Sequence, residues 1–211
     1  MDTFTLIAVE RRRLADELDT LSEADWAASS LCDGWTAHVV AAHLNLPWAS
    51  STPKLLLGVL RHRGDLNKAM DSASQQLAGR LSPERCVREL RAHAESRFVP
   101  PTMPPEAPLS DVVLHGADIL RPLGRSVAVD PEAMLRVLGF LVSDKAKRSF
   151  RSASIDGVRL EATDLDWAWD PPGASATASG PAPSLAGLLV GRPAYGPDVS
   201  GDGVARLLAR G

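Results

Sequence analysis

Three residues of this chain, His43, Asp111 and His115, have types and spacing that could do chemistry together. The stretch SDVVLHGADILRPLG, residues 110–124, sets Asp111 and His115 four apart and Asp118 three further on. On an α-helix, residues i, i+3 and i+4 share a face, so the carboxylate of Asp111 and the imidazole of His115 can converge. A divalent ion needs at least one more ligand from another element. The stretch WTAHVVAAHLNL, residues 35–46, offers His43, flanked by Val39, Val40 and Leu44 on the apolar side of a predicted helix. Two imidazoles and one carboxylate would leave coordination positions open to water or a thiolate, which is the pattern of a catalytic site and not of a structural one. The residues alone equally allow a plainer reading: His43 as a hydrogen-bonded core histidine, and Asp111 as a carboxylate favouring the start of a helix. Asp118 reads as a cap or as a partner of Arg121 or Arg125. His38 diverges from His43, and His62 and His93, with polar neighbours, read as solvated.

Nucleophilic catalysis has less support. Neither GxSxG nor a phosphate-binding GxxxxGK[ST] occurs, and neither Cys32 nor Cys86 has a histidine beside it. Cys32, next to Asp33 in a turn, reads as a small buried residue. Trp35, Trp48, Trp167 and Trp169 read as core, although a tryptophan beside a bundle mouth could line a pocket.

The elements that must position these groups are mostly helices. Residues 3–21 carry Ile7, Leu14, Leu18 and Leu21 on one stripe, with Arg12–Asp16 and Arg13–Glu17 as i,i+4 pairs and the ERRR run as a solvated face. SEAD at 22–25 has the form of a helix start, CDG at 32–34 signals a turn, Thr36 caps the helix bearing His43, and Pro47 interrupts it. Helical spacing returns over 52–62 and 65–97, broken at Gly64 and restarted at Ser82-Pro83-Glu84. VPPTMPPEAPLS, residues 99–110, holds five prolines and reads as a connection. Helices are predicted at 109–122 and 131–147. From GVRLEATDLDWAW onward, apolar residues alternate as in a strand, with a turn or bulge near Thr163-Asp164, and SLAGLLVG and GDGVARLLARG read as short helices. The expected fold class is mainly α: a helical bundle over residues 1–150 and a small α/β domain over 151–211.

Composition narrows the partners. With 211 residues, 45% of them hydrophobic, the chain can bury a core. A net charge of -3, with arginines scattered among acids, argues against nucleic acid. No apolar run approaches the roughly 20 residues that span a bilayer. Two cysteines outside any CxxC pair suit a reducing cytoplasm.

Taken together, LCDGWTAHVVAAHL (31–44), DVVLHGADILRPLG (111–124) and the C-terminal run from VRLEATDLDWAW to GVARLLAR resemble the mycothiol-dependent maleylpyruvate isomerase family. The resemblance implies a DinB-like four-helix bundle followed by a small α/β domain of sterol-carrier type. It also implies a divalent metal, usually zinc, on His43, Asp111 and His115, where a site of this composition would accept nickel, manganese or iron as well. One departure stands out, since the family's carboxylate is Glu and here it is the shorter Asp111. The activity implied is that of an isomerase or thiol transferase in which mycothiol, activated on the metal, attacks a small electrophile; Arg192 in VGRPAYG is the candidate for an anionic group of the substrate. The alternatives are a non-catalytic small-molecule or partner-binding protein with a degraded metal site, and a metal-dependent hydrolase.

Overall fold

The computed structural model describes residues 1–50, 60–126 and 128–209, leaving aside the side chain of Arg148. Most of the predicted helix at 52–62 lies outside the described residues. The chain is mainly helical, with one small three-stranded sheet, as expected. It divides by packing into two compact units, Asp2–Phe98 with His115–Ala128, and Val99–Leu114 with Met1 and Val129–Gly211.

In the first unit, α1 (Thr3–Leu18) starts at Asp2, whose carboxylate accepts from the Phe4 and Thr5 amides, and it buries Leu6, Ile7, Leu14, Ala15 and Leu18. After the short α2 (Glu23–Ala27) comes α3 (Ala37–Leu44), capped by Thr36. Its Ala37, Ala41 and Ala42 are fully buried. Pro47 sits at the start of a separate turn, α4 (Leu46–Ala49). Asp65 caps α5 (Leu66–Ala78), and Ser82 with Pro83 opens α6 (Pro83–Ala92). Helix α3 packs on α5 and α6, and α1 packs on α6.

The ERRR run is a solvated face only in part, for Arg12 is exposed while Glu10 and Arg11 are buried. Glu10 and Arg11 are only 3% and 4% exposed. The Arg11 guanidinium donates to the carbonyls of His93, Ala94 and Ser96 at 3.3, 3.1 and 2.9 Å and lies 5.3 Å from the Trp48 ring centroid. The carbonyls at and beyond the end of a helix have no intrahelical donor, and the Nη1 group of Arg11 meets that need. Arg12 reaches Glu95 and Asp16 receives Arg91, between segments, whereas Arg13 pairs along α1 with Glu10 in place of Glu17. His93 is half-buried and stacks on Trp48 at 5.0 Å.

Helix α7 (Glu106–Leu120) begins earlier than predicted, and Pro108 fits in its first turn because amides there have no partner inside the helix. It is continuous from Glu106 to Leu120, so Asp111 and His115 fall on one face of it, as their spacing predicts.

In the other unit, Asp130 caps α8 (Pro131–Leu141), which ends well before residue 147 and packs with α9 (Ala182–Leu189). Composition changes near residue 150, whereas packing groups α8 with the C-terminal elements. Strand β1 (Val158–Ala162) is central, antiparallel to β2 (Ala168–Trp169) and parallel to β3 (Ala176–Gly180). Val158 and Leu160 are fully buried, as their alternation predicts. The carboxylate of Asp164, in the turn after β1, accepts from the Ala182 amide at 2.7 Å and so satisfies the start of α9. Gly187 is required where the Tyr195 ring lies on α9, since a Cβ there would overlap that ring. A last short helix, α10 (Val204–Leu208), follows.

Arg11→Ala should lower unfolding stability by about 2–3 kcal/mol in urea titrations, because it leaves three carbonyls without their donor. Arg11→Lys should recover only part of that loss, since an ammonium cannot replace the planar guanidinium over the Trp48 ring.

Candidate metal centre

The loop between α2 and α3 is built to hold its side chains still. The Trp35 amide donates to the Cys32 carbonyl at 3.0 Å, and the Ser30 amide donates to the Trp35 carbonyl at 2.9 Å. Gly34 takes the left-handed conformation this tight turn needs, with φ +75°. The Leu31 amide donates to the carbonyl of Asp118 at 3.0 Å, which fastens the loop to α7. Cys32 is thereby set against α7. Trp35 stands beside His43, with ring centroids 5.1 Å apart, and its indole donates to Asp71 of α5 at 2.6 Å.

His43 lies in the last turn of α3 and faces α5, where its Nδ1 is 3.0 Å from the hydroxyl of fully buried Ser74. That hydroxyl donates its single hydrogen to the Met70 carbonyl at 2.7 Å. Ser74 can therefore only accept from His43, which puts the proton on Nδ1 and the lone pair on Nε2. His115 has the same arrangement from a different partner, with Nδ1 3.0 Å from the carboxylate of Asp118, itself 2% exposed. A carboxylate accepts, so here too Nδ1 carries the hydrogen and Nε2 the lone pair. The two imidazoles are 4.9 Å apart, edge to face. Gly116 lets α7 come close to α1, because a Cβ would stand 3.2 Å from a Leu14 methyl.

One ligand atom from each of His43, Asp111 and His115 lies within 4.8 Å of the others, and all three side chains are half-buried. Around a tetrahedral zinc ion, donors stand roughly 3.3–3.6 Å apart. The donor chemistry fits a divalent cation: two nitrogens with lone pairs and one carboxylate, each imidazole held from behind by a buried acceptor.

Sequence reasoning missed three of the groups that hold this centre. Asp118 turns inward to His115 and Cys32 where a cap or an arginine pairing was expected. Cys32 is not merely a small buried residue, for its thiol donates to the Asp118 carboxylate at 3.1 Å and lies 3.6 Å from Nδ1 of His115. Ser74 went unnoticed. The i,i+3 spacing of His115 and Asp118 was the available signal for the first of these; Ser74 gave none. Trp35 lines the imidazole pair, as allowed for a tryptophan beside a bundle mouth. Arg192 belongs to the other unit, where its guanidinium contacts the Val190 carbonyl at 3.4 Å.

Residues 7–120 match the family described as the mycothiol maleylpyruvate isomerase N-terminal domain. The chain belongs to that family. Two crystal structures of mycothiol-dependent maleylpyruvate isomerase, one of them a histidine-to-alanine mutant, share its fold with TM-scores of 0.57 and 0.55. Each is 15% identical, and the match covers 95% of this chain and 91% of that one. No curated protein sequence matches. Among the described residues, no helix is long and apolar enough to cross a membrane.

In long-range ¹H–¹⁵N spectra of the metal-free protein, neutral His43 and His115 should both appear as the Nδ1–H tautomer. Ser74→Ala should convert His43 alone to a mixture, and Asp118→Asn should do so for His115 alone.

Proposed function

We propose that this member of the maleylpyruvate isomerase family is a mycothiol-dependent metalloenzyme acting on a small electrophile as an isomerase or thiol transferase. The observation that carries this reading is the pair of imidazoles from α3 and α7, each with its Nδ1 hydrogen given to a buried acceptor, beside the carboxylate of Asp111. Zinc is the proposed metal, with nickel, manganese or iron compatible with the same donors. A divalent cation held there would supply the chemistry by binding a thiol as thiolate at neutral pH, where the free group has a pKa near about 8.5.

The chain's own residues do the rest. His43, Asp111 and His115 bind the cation. Ser74 and Asp118 keep the two imidazoles in the ligating tautomer and in fixed orientation. Trp35 walls the imidazole pair and excludes water from one side. The half-burial of the three ligands leaves a way in for a small molecule. Arg192 is proposed to hold an anionic group of the substrate through its planar fork. The reducing cytoplasm is the proposed compartment, since a thiol cofactor must stay reduced there.

Protein purified without chelator or histidine tag should retain near-stoichiometric divalent metal by elemental mass spectrometry, and His115→Ala should lose it. Absence of metal even after zinc is supplied would overturn this reading in favour of a binding protein. Turnover of the electrophile should require added mycothiol, and thiol-independent hydrolysis of an ester would point to a hydrolase instead. Asp118→Asn should weaken metal affinity about 10–100-fold in chelator competition. Arg192→Lys should raise KM for an anionic substrate with metal content unchanged.

A further inference from the structure

The Nδ1 side of His115 carries a second set of donors. Cys32 Sγ, His115 Nδ1 and Asp118 Oδ2 are mutually 3.1, 3.0 and 3.6 Å apart, taken as sulfur to oxygen, nitrogen to oxygen and sulfur to nitrogen. With metal–sulfur bonds of about 2.3 Å and metal–nitrogen and metal–oxygen bonds of about 2.0–2.2 Å, tetrahedral zinc would hold such atoms roughly 3.3–3.6 Å apart. The observed triangle differs from that by a few tenths of an ångström, less than side-chain adjustment provides. Cys32 and Asp118 are 9% and 2% exposed, so a cation there would be shielded from competing water. The triangle is also held by the backbone, through the Leu31 amide on the Asp118 carbonyl and the one-turn spacing of His115 and Asp118.

We infer that Cys32, His115 and Asp118 form a second cation site, for a borderline-soft divalent ion of the zinc class, that uses the opposite nitrogen of His115 from the site proposed above. Sulfur, imidazole and carboxylate together select such an ion over magnesium or calcium, which favour oxygen alone. Binding replaces two hydrogens that now fill the triangle. The Sγ hydrogen leaves to solvent as the thiol becomes thiolate. The Nδ1 hydrogen leaves to solvent, or is exchanged for one at Nε2 when the first site is vacant. The set needs neither His43 nor Asp111, so its occupancy is separable from the first. Cys86 does not compete, since it is buried in α6, away from His115 and Asp118, and burial pushes its thiol up to about 12.

Cobalt(II) titration in thiol-free buffer tests this directly, because thiolate ligation gives a near-ultraviolet charge-transfer band that nitrogen and oxygen ligation does not. Wild type, Cys86→Ser and His43→Ala should all show the band, and Cys32→Ser should lose it while keeping the weaker visible bands of cobalt on the His43, Asp111 and His115 set. No charge-transfer band in wild type at saturating cobalt, or a band that survives Cys32→Ser, would overturn the second site. Loss of the visible bands in otherwise folded Cys32→Ser would count against the first site and not the second. Independently, in Cys86→Ser the remaining thiol should be protected from alkylation by zinc in mass spectra, and equal labelling with and without zinc would contradict the proposal.

Discussion

An imidazole can ligate a cation only through a nitrogen that carries no hydrogen, and in this protein that choice is made twice by buried acceptors. Ser74 receives the Nδ1 hydrogen of His43 because its own hydrogen is committed to the Met70 carbonyl. Asp118 receives that of His115 because a carboxylate can do nothing else. Much of the first unit serves these two contacts. The alanine-rich α3 packs on α5, bringing Ser74 to His43, and Gly116 lets α7 approach Leu14 of α1.

The turn at residues 29–36 ties the arrangement together. It caps α3, stands Trp35 beside His43, and sets Cys32 against both His115 and Asp118. A short segment with few side chains to bury can do this because its amides are used deliberately, one on Cys32, one on Trp35 and one on Asp118. His115 consequently faces a hard, half-buried donor set on one side and a buried, sulfur-containing one on the other.

Helical periodicity made part of this legible. The i,i+4 spacing of Asp111 and His115 and the apolar flanks of His43 offered three candidate donors, because helical geometry fixes which side chains share a face, and the family resemblance marked them as a ligand set. Asp118 shared that face too, but nearby Arg121 and Arg125 suggested an outward partner, and only the packed loop shows why it turns inward. Ser74 and Arg11 could not be read. Their partners, Met70 with His43 for one and the carbonyls around Ala94 for the other, come together through tertiary packing. Helix ends differed for a related reason: α8 stops at Leu141 although helical spacing continues, and α7 starts before Pro108 because first-turn amides need no donor role.

The central claim is that His43, Asp111 and His115 meet on one cation. Anomalous diffraction from crystals grown with one equivalent of zinc, collected on both sides of the zinc edge, tests it most directly. The account predicts a peak bounded by the Nε2 atoms of His43 and His115 and a carboxylate oxygen of Asp111, with Nδ1 of each imidazole still on Ser74 and Asp118. A peak that touches neither imidazole, or zinc at His115 with His43 turned away, would contradict it.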